Sequence, residues 1–401
     1  MSEPSTRSEL YQLAFNQVVR QHKTYRLHAE RGREFLFVAG ELLTIPEDVD
    51  RVRRKLSQNN IDNGRGGDFA GMARLTLSRN SDDIPAIVRL LRDPLQWPGE
   101  RTPFVQPHHV LVGHGGNMHG NPGEPPRVRS SLPDPDPAAG GDGRGVVVAV
   151  VDTGISRTAA QDHPLWLGTA FTPKADEVDA AYAHDDVFAL EGGHGTFVAG
   201  VVRQAAPGVR VDPEKALQPN GLGTEEDFVR ALSSFDEKNV AVVNISLGCF
   251  TQDDVASEPV RRAVEALPRD VVVVASAGNQ GTNRPSWPAA LPRVVAVAAV
   301  AEDLDGNRTP ACYSNHGHWV DACAVGNRTS TYLKGRWELP GLPAEQYDRF
   351  AYWLGTSFAA PHVAGRIAAT MTRLSLTATE ARDHLLSDQP AFFPGYGVFI
   401  D

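Results

Sequence analysis

Four short runs constrain this chain more than anything else in it: VVVAVVDTG (Val146–Gly154), VAVVNISLG (Val240–Gly248), VVVVASAGN (Val271–Asn279) and VVAVAAV (Val294–Val300). Each is close to continuously apolar rather than alternating, the pattern of a strand buried on both faces. Helical patterns lie between them at Thr196–Gln204, Glu225–Lys238 and Pro259–Leu267. Buried strands alternating with helices predict an α/β fold: a parallel sheet covered by helices on both faces. On such a sheet a ligand site belongs beyond the carboxyl ends of the strands.

A stretch rich in Gly and Pro, residues 114–144, divides the chain and reads as a linker or draped loop. Residues 145–401 follow it as the larger domain. Residues 1–113 precede it, with strand patterns at Glu34–Thr44, Ala73–Ser78 and His108–Gly113 and helical patterns at Glu47–Asn60, started by Pro46, and Asp82–Asp93. That order predicts a small α+β (β-α-β-α-β) N-terminal domain.

The net charge of -10 argues against a nucleic-acid surface. No segment approaches the roughly 20 apolar residues of a membrane span, and the first residues lack the apolar core of a signal peptide. Cys249, Cys312 and Cys323 are odd in number and show no CxxC spacing, which fits a reducing compartment. The expectation from these features is a cytoplasmic protein with no nucleic-acid or membrane partner.

The stretch GTSFAAPHVAG (Gly355–Gly365) opens a helical pattern running from Ser357 to about Arg373, with Pro361 tolerable only near its start. Ser357 therefore stands where unpaired backbone N–H groups and the helix dipole favour negative charge. Taken alone, a Ser there is an N-cap. Asp152 ends the first buried run in DTG, His194 precedes a helix in GGHGTFVAG (Gly192–Gly200), and Asn279 ends the third run in SAGNQG (Ser276–Gly281). Alone, Asp152 and Asn279 are turn residues and His194 a loop histidine. Together they place an acid, a base, an amide and a hydroxyl at strand ends and helix starts of one sheet.

That constellation, in the chain order Asp, His, Ser, resembles the subtilisin-like serine proteases, with DTGI, GGHGTFVAG, SAGNQG and GTSFAAPHVAG as matching motifs and NISLG, YSNHG and GYGVFI as similar segments. The resemblance covers about Gly145 to Asp401. It implies a subtilisin-like fold and serine endopeptidase activity on a protein or peptide substrate. Ser357 would be the nucleophile, His194 the general base, Asp152 its orienting acid, and Asn279 with the Ser357 backbone N–H the oxyanion donors. Ser246, Leu247 and Gly248 would pair with extended substrate, and Ser276, Ala277 and Gly278 would line the primary specificity pocket. The N-terminal domain is similar to family propeptides in size and pattern only. Such a domain would thread the segment after Leu111 through the cleft, to be cut there or in the linker. It, or narrow substrate choice, would restrain the protease.

The competing readings are a pseudoprotease or peptide-binding regulator using the same cleft, which the intact residue set opposes, and an α/β-hydrolase esterase, which lacks support because no G-x-S-x-G occurs. A permanent accessory domain is the alternative for residues 1–113. No cofactor or metal is expected. His108, His109, His114 and His119 do not match a zinc spacing, while His184-Asp185-Asp186 and Glu302, Asp303 and Asp305 are weak calcium candidates. His362 lies on another helix face from Ser357, and Cys249 reads as a small filler beside the cleft.

Overall fold

The structure is a computed structural model that describes residues 6–78, 83–113, 124–136, 141–171, 177–235, 239–387 and 391–401. Its centre is a nine-stranded sheet. Side by side lie Arg210–Lys215, Val147–Asp152, Val240–Ile245, Val272–Ser276, Val294–Glu302, Ala322–Val325 and Gly397–Phe399, all mutually parallel. Short antiparallel strands at Arg308–Pro310 and Phe392–Phe393 complete it.

Strand alternation explains why the apolar runs are continuous. Val148 and Val150 face one hydrophobic cluster, built with the helices His194–Ala205 and Thr356–Leu374 through Val198, Val202 and Ile367. Ala149 and Val151 face a second, built with Glu225–Ser233 and Glu258–Ala266 through Phe228, Val260 and Val264. Every residue of Val147–Asp152 is buried, so both faces need apolar side chains.

Ahead of this sheet stands an antiparallel one, in the order Leu222–Thr224, Val105–Val112, Phe35–Thr44, Met72–Leu77, Asn63–Phe69, with Tyr25–His28 pairing onto Phe35–Val38. Helices Val49–Gln58 and Ile84–Arg92 cover one face, and Arg7–Gln21 brings Phe15 and Val19 to Leu36, Val38 and Val110. The β-α-β-α-β expectation thus lacked the helix Arg7–Gln21 and the strands Tyr25–His28 and Asn63–Phe69. Asn63–Phe69 is a strand with three glycines and little burial, held by cross-strand pairing rather than apolar pattern. The helix Arg7–Gln21 carries a capping box, Thr6 with Glu9.

A third sheet is built on the long hairpin Asn327–Trp337 and Glu345–Leu354. Arg127–Arg129 adds to its edge opposite Phe350–Tyr352, which corrects the expectation of no regular structure throughout 114–144. The three residues are exposed and owe their strand form to the edge they pair with. No described helix is long and apolar enough to cross a membrane.

Candidate active site

Asp152 is the last residue of its strand, and His194 is the first of its helix, preceded by Gly193 at φ 85°. The two elements meet closely enough that a Cβ on Gly195 would lie 2.0 Å from the Gly154 carbonyl oxygen. Glycine at 195 is therefore a packing requirement, and the approach sets His194 Nδ1 at 2.7 and 2.9 Å from the two Asp152 carboxylate oxygens. Both side chains are fully buried. Burial opposes charge on the imidazole, yet the Asp152 field and hydrogen bond, with Glu191 and Asp179 behind them, raise the His194 pKa above its ordinary value.

Asp179 ties the same elements together. Its Oδ2 accepts from the Gly193 N–H at 2.8 Å and from the Thr153 hydroxyl at 3.0 Å, and Thr153 in turn accepts from the Gly195 N–H at 3.1 Å. Burial pushes the Asp179 carboxyl up to about 7, against the pull of those two hydrogen bonds and with Asp152 adding to the rise. Glu191 accepts from the Tyr11 hydroxyl, and its backbone carbonyl accepts the His194 N–H at 3.1 Å. The sequence offered no signal for Asp179 or Glu191, because neither stands in a motif and each matters only through what packs on it.

The helix carrying Ser357 begins at Thr356, just after the strand Glu345–Leu354 and the extended Gly355. Asn279 Oδ1 accepts from the Thr356 N–H and from its hydroxyl, both at 2.9 Å, and the same hydroxyl accepts from the Gly278 N–H at 3.1 Å. With the acceptor edge of the amide committed to Thr356, what Asn279 can offer a bound group is a donor. Ser357 Oγ donates to the Ser246 carbonyl at 3.4 Å, and the Ser246 hydroxyl donates to the Ser357 carbonyl at 3.0 Å. The His194 ring packs against Trp353 and Phe358, which flank this turn, at centroid distances of 5.3 and 5.4 Å.

A cleft runs past these groups, lined by Ser246, Leu247, Gly248, Ser276, Gly278, Asn279 and Ser357. Ala277 does not line it. Its side chain packs on Ala298, Val300 and Cys323 beneath the sheet, because strand alternation turns it away from its neighbours. That corrects its place among the pocket residues. Ser286 and Gln280 line the cleft without having been expected there, and Cys249 lines it beside Gly248. Cys249 is pinned by backbone bonds to Trp287 in both directions, and burial raises its thiol pKa well above the ordinary value, so it is a filler and not a nucleophile.

The other candidates lie elsewhere. His108 Nδ1 is 2.7 Å from a Glu41 oxygen and His109 Nδ1 is 3.0 Å from Glu225, while His114 and His119 fall outside the described residues. His362 is buried away from the cleft. Asp303 folds back on the Asp305 and Asn307 N–H groups of its own turn. Among the described residues, Glu177, Asp212 and Glu214 are the group whose carboxylates approach one another within 4.8 Å; all three are buried.

The comparisons agree with this architecture. A sequence model described as the subtilase family matches residues 143–393, and the chain belongs to that family. It is 34% identical over 235 residues to the thermophilic serine proteinase of Bacillus sp. strain AK1, covering 56% of this chain and 51% of that one. It is 32% identical over 254 residues to subtilisin Savinase of Lederbergia lenta, covering 61% and 82%. The chain thus spans about half the length of the first relative and most of the second. Among solved structures, fervidolysin from Fervidobacterium pennivorans, described as a keratinolytic enzyme related to subtilisin, superposes with a TM-score of 0.60 at 20% identity over 93% of this chain and 61% of its own, a likeness of fold.

Proposed function

We propose that this chain is a serine endopeptidase. The observation that carries the reading is the buried Asp152–His194 pair, set at a strand end and helix start beside the helix turn that presents Ser357. His194 would take the Ser357 proton as Oγ attacks a peptide carbonyl, and would then deliver it to the leaving amine; water would reverse the steps and release the acid. Asp152 would fix the imidazole tautomer and stabilise the imidazolium, and the raised His194 pKa is the static sign of that support. The Asn279 amide and the Ser357 backbone N–H would receive the oxyanion.

In this reading the amino-terminal region restrains the enzyme. The strand Val105–Val112 continues into the cleft, where Val112 exchanges two backbone hydrogen bonds with Gly248, at 2.8 and 3.0 Å, and the Gly113 N–H donates to the Gly221 carbonyl at 2.9 Å. A segment seated on Gly248 as an added strand occupies the ground an extended substrate would need. The test is an intact-mass spectrum after treatment with a fluorophosphonate, a reagent selective for activated serines. One adduct on the wild type, absent from Ser357→Ala, is the expected result; no adduct on a chain with residues 1–113 removed overturns the assignment.

A further inference from the structure

A second pocket, sharing no lining residue with the cleft, opens where the helix Thr356–Leu374 passes the start of the strand Asn327–Trp337. We propose that this pocket, of about 350 Å³, binds a phosphate group, free or carried by a small molecule, between Arg328 and His362.

Arg328 supplies an unbalanced charge. Its Nε donates to the Val325 carbonyl at 2.9 Å, and among the described residues its guanidinium meets no other hydrogen-bond partner and no carboxylate at ion-pair distance. Glu302 and Asp401 line the same pocket, but both are taken by Arg308, at 2.7 and 2.9 Å, whose guanidinium also lies over the Phe399 ring at 4.4 Å. Burial lowers the Arg328 pKa to about 10, and the more distant charges of Glu302 and Asp401 restore only part of the fall. A partly desolvated cation without a counter-ion is costly, and an anion seated beside it removes the cost.

His362 turns that charge into a site. It stands on the helix of Ser357, is 9% exposed, and lines the pocket with an Nε2 that has no hydrogen-bond partner among the described residues. Burial, then the Arg328 charge, hold its pKa well below the ordinary value, with Arg366 adding to the fall against the Asp401 backbone carbonyl. The ring is therefore neutral, and Nε2 either donates a proton or accepts one. Hydrogen phosphate meets both cases, because it carries an O–H beside its anionic oxygens, and those oxygens match the fork of the Arg328 guanidinium. Arg308, Arg328 and Arg366 outnumber Glu302 and Asp401 here, so the local field favours an anion although the chain carries a net charge of -10. The pocket is larger than the ion, and Val325 and Phe399 give the rest of it an apolar wall against which an organic remainder can lie.

The test titrates the full-length protein in a calorimeter with inorganic phosphate and, separately, with glycerol phosphate, and follows Tm with sodium chloride at matched ionic strength as the control. The expected results are saturable binding, a Tm rise beyond that from chloride, and an affinity about tenfold or more lower in Arg328→Gln, the weight of one charge-assisted hydrogen bond. Without phosphate, Arg328→Gln should melt no lower than the wild type, because it removes an unpaired charge; its lost binding is then not a lost fold. His362→Phe, which keeps an aromatic ring without its nitrogens, should weaken phosphate binding as well. Tighter binding of glycerol phosphate than of inorganic phosphate assigns the pocket to a phosphate monoester, and the reverse order to the free ion. Neither saturable heat nor a Tm rise, an equal rise from chloride, or unchanged affinity in either folded variant overturns the inference. None of these outcomes bears on the endopeptidase reading, which the fluorophosphonate adduct tests by itself.

Discussion

Among the described residues, two buried carboxylate–histidine pairs stand in contrasting surroundings. Asp152 meets His194 inside the catalytic half, at 2.7 and 2.9 Å. Glu225 meets His109 across the junction with the amino-terminal region, at 3.0 Å, and also accepts the His109 backbone N–H at 2.9 Å, the Gln106 amide at 3.0 Å and the Ser257 hydroxyl. The second nitrogen of His109 accepts from the Gln252 N–H at 3.3 Å, so both ring nitrogens are committed to hydrogen bonds inside the junction. The His194 ring instead packs on Phe358, the residue that follows Ser357, within the field of Asp152, Glu191 and Asp179. The same two functional groups join two regions where neutral donors surround the acid, and would serve as a base, in the proposed reading, where further negative charge favours the imidazolium.

The sharpest way to break the comparison is Ser357→Ala. It removes the group that the Asp152–His194 pair is proposed to serve, and turnover is expected to fall by about 10⁶-fold, the scale known for a subtilisin triad serine. The melting temperature should stay near wild type, and substantial residual turnover in a steady-state assay would count against the triad.

Asp152→Asn should cost about 10⁴-fold in kcat. It should also move the acid limb of kcat/KM. Because the His194 pKa is raised, its neutral, base form accumulates only above the ordinary histidine range; removing the Asp152 charge lets burial dominate and shifts the limb to lower pH. A pH profile that keeps its acid limb in place would separate Asp152 from His194.

Glu225→Ala tests the other pair. It strands three donors and a histidine in a buried junction and should cost about 3–5 kcal/mol of attachment. Hydrogen exchange should accelerate across residues 105–112 and stay slow across 147–152; uniform acceleration would mean that Glu225 holds the whole fold. Burial resists ionisation of Glu225, but His109 and its other partners hold its pKa below the ordinary value. Its contribution is thus fully present above the unfolded glutamate pKa and is lost only as pH falls through the lower folded one.

Asn279→Ala should lower kcat by about 10²–10³-fold with KM little changed, the magnitude measured for the oxyanion Asn of subtilisin itself. A change confined to KM would remove Asn279 from the oxyanion site. The smallest effect belongs to Tyr11→Phe, which leaves a buried Glu191 oxygen without its hydroxyl donor and should cost about 1–3 kcal/mol, read as a lower melting temperature. Arg7, paired with both Glu345 oxygens on the long hairpin, should hold the same helix in place when Tyr11 is changed.

How much was legible follows from the range of each signal. The four apolar runs became strands of the central sheet because β-branched residues buried on both faces specify themselves locally. Asp152, His194, Asn279 and Ser357 could be singled out as candidates because each stands near a glycine at a strand end or a helix start, and Gly195 shows why: nothing larger lets its helix approach the Gly154 carbonyl. Ala277 was misplaced because a motif names neighbours without saying which way each side chain turns.

By itself, then, the sequence determined the strand order of chemistry: which residue types stand at which ends, and that they could meet. Only the tertiary structure decided that Asp179 and Glu191 surround the histidine, that His109 finds Glu225 116 residues away, and that Val112 lies on Gly248. These contacts join segments with no local pattern in common, and their energies arise from burial and from donors brought together by packing, which no stretch of chain carries alone.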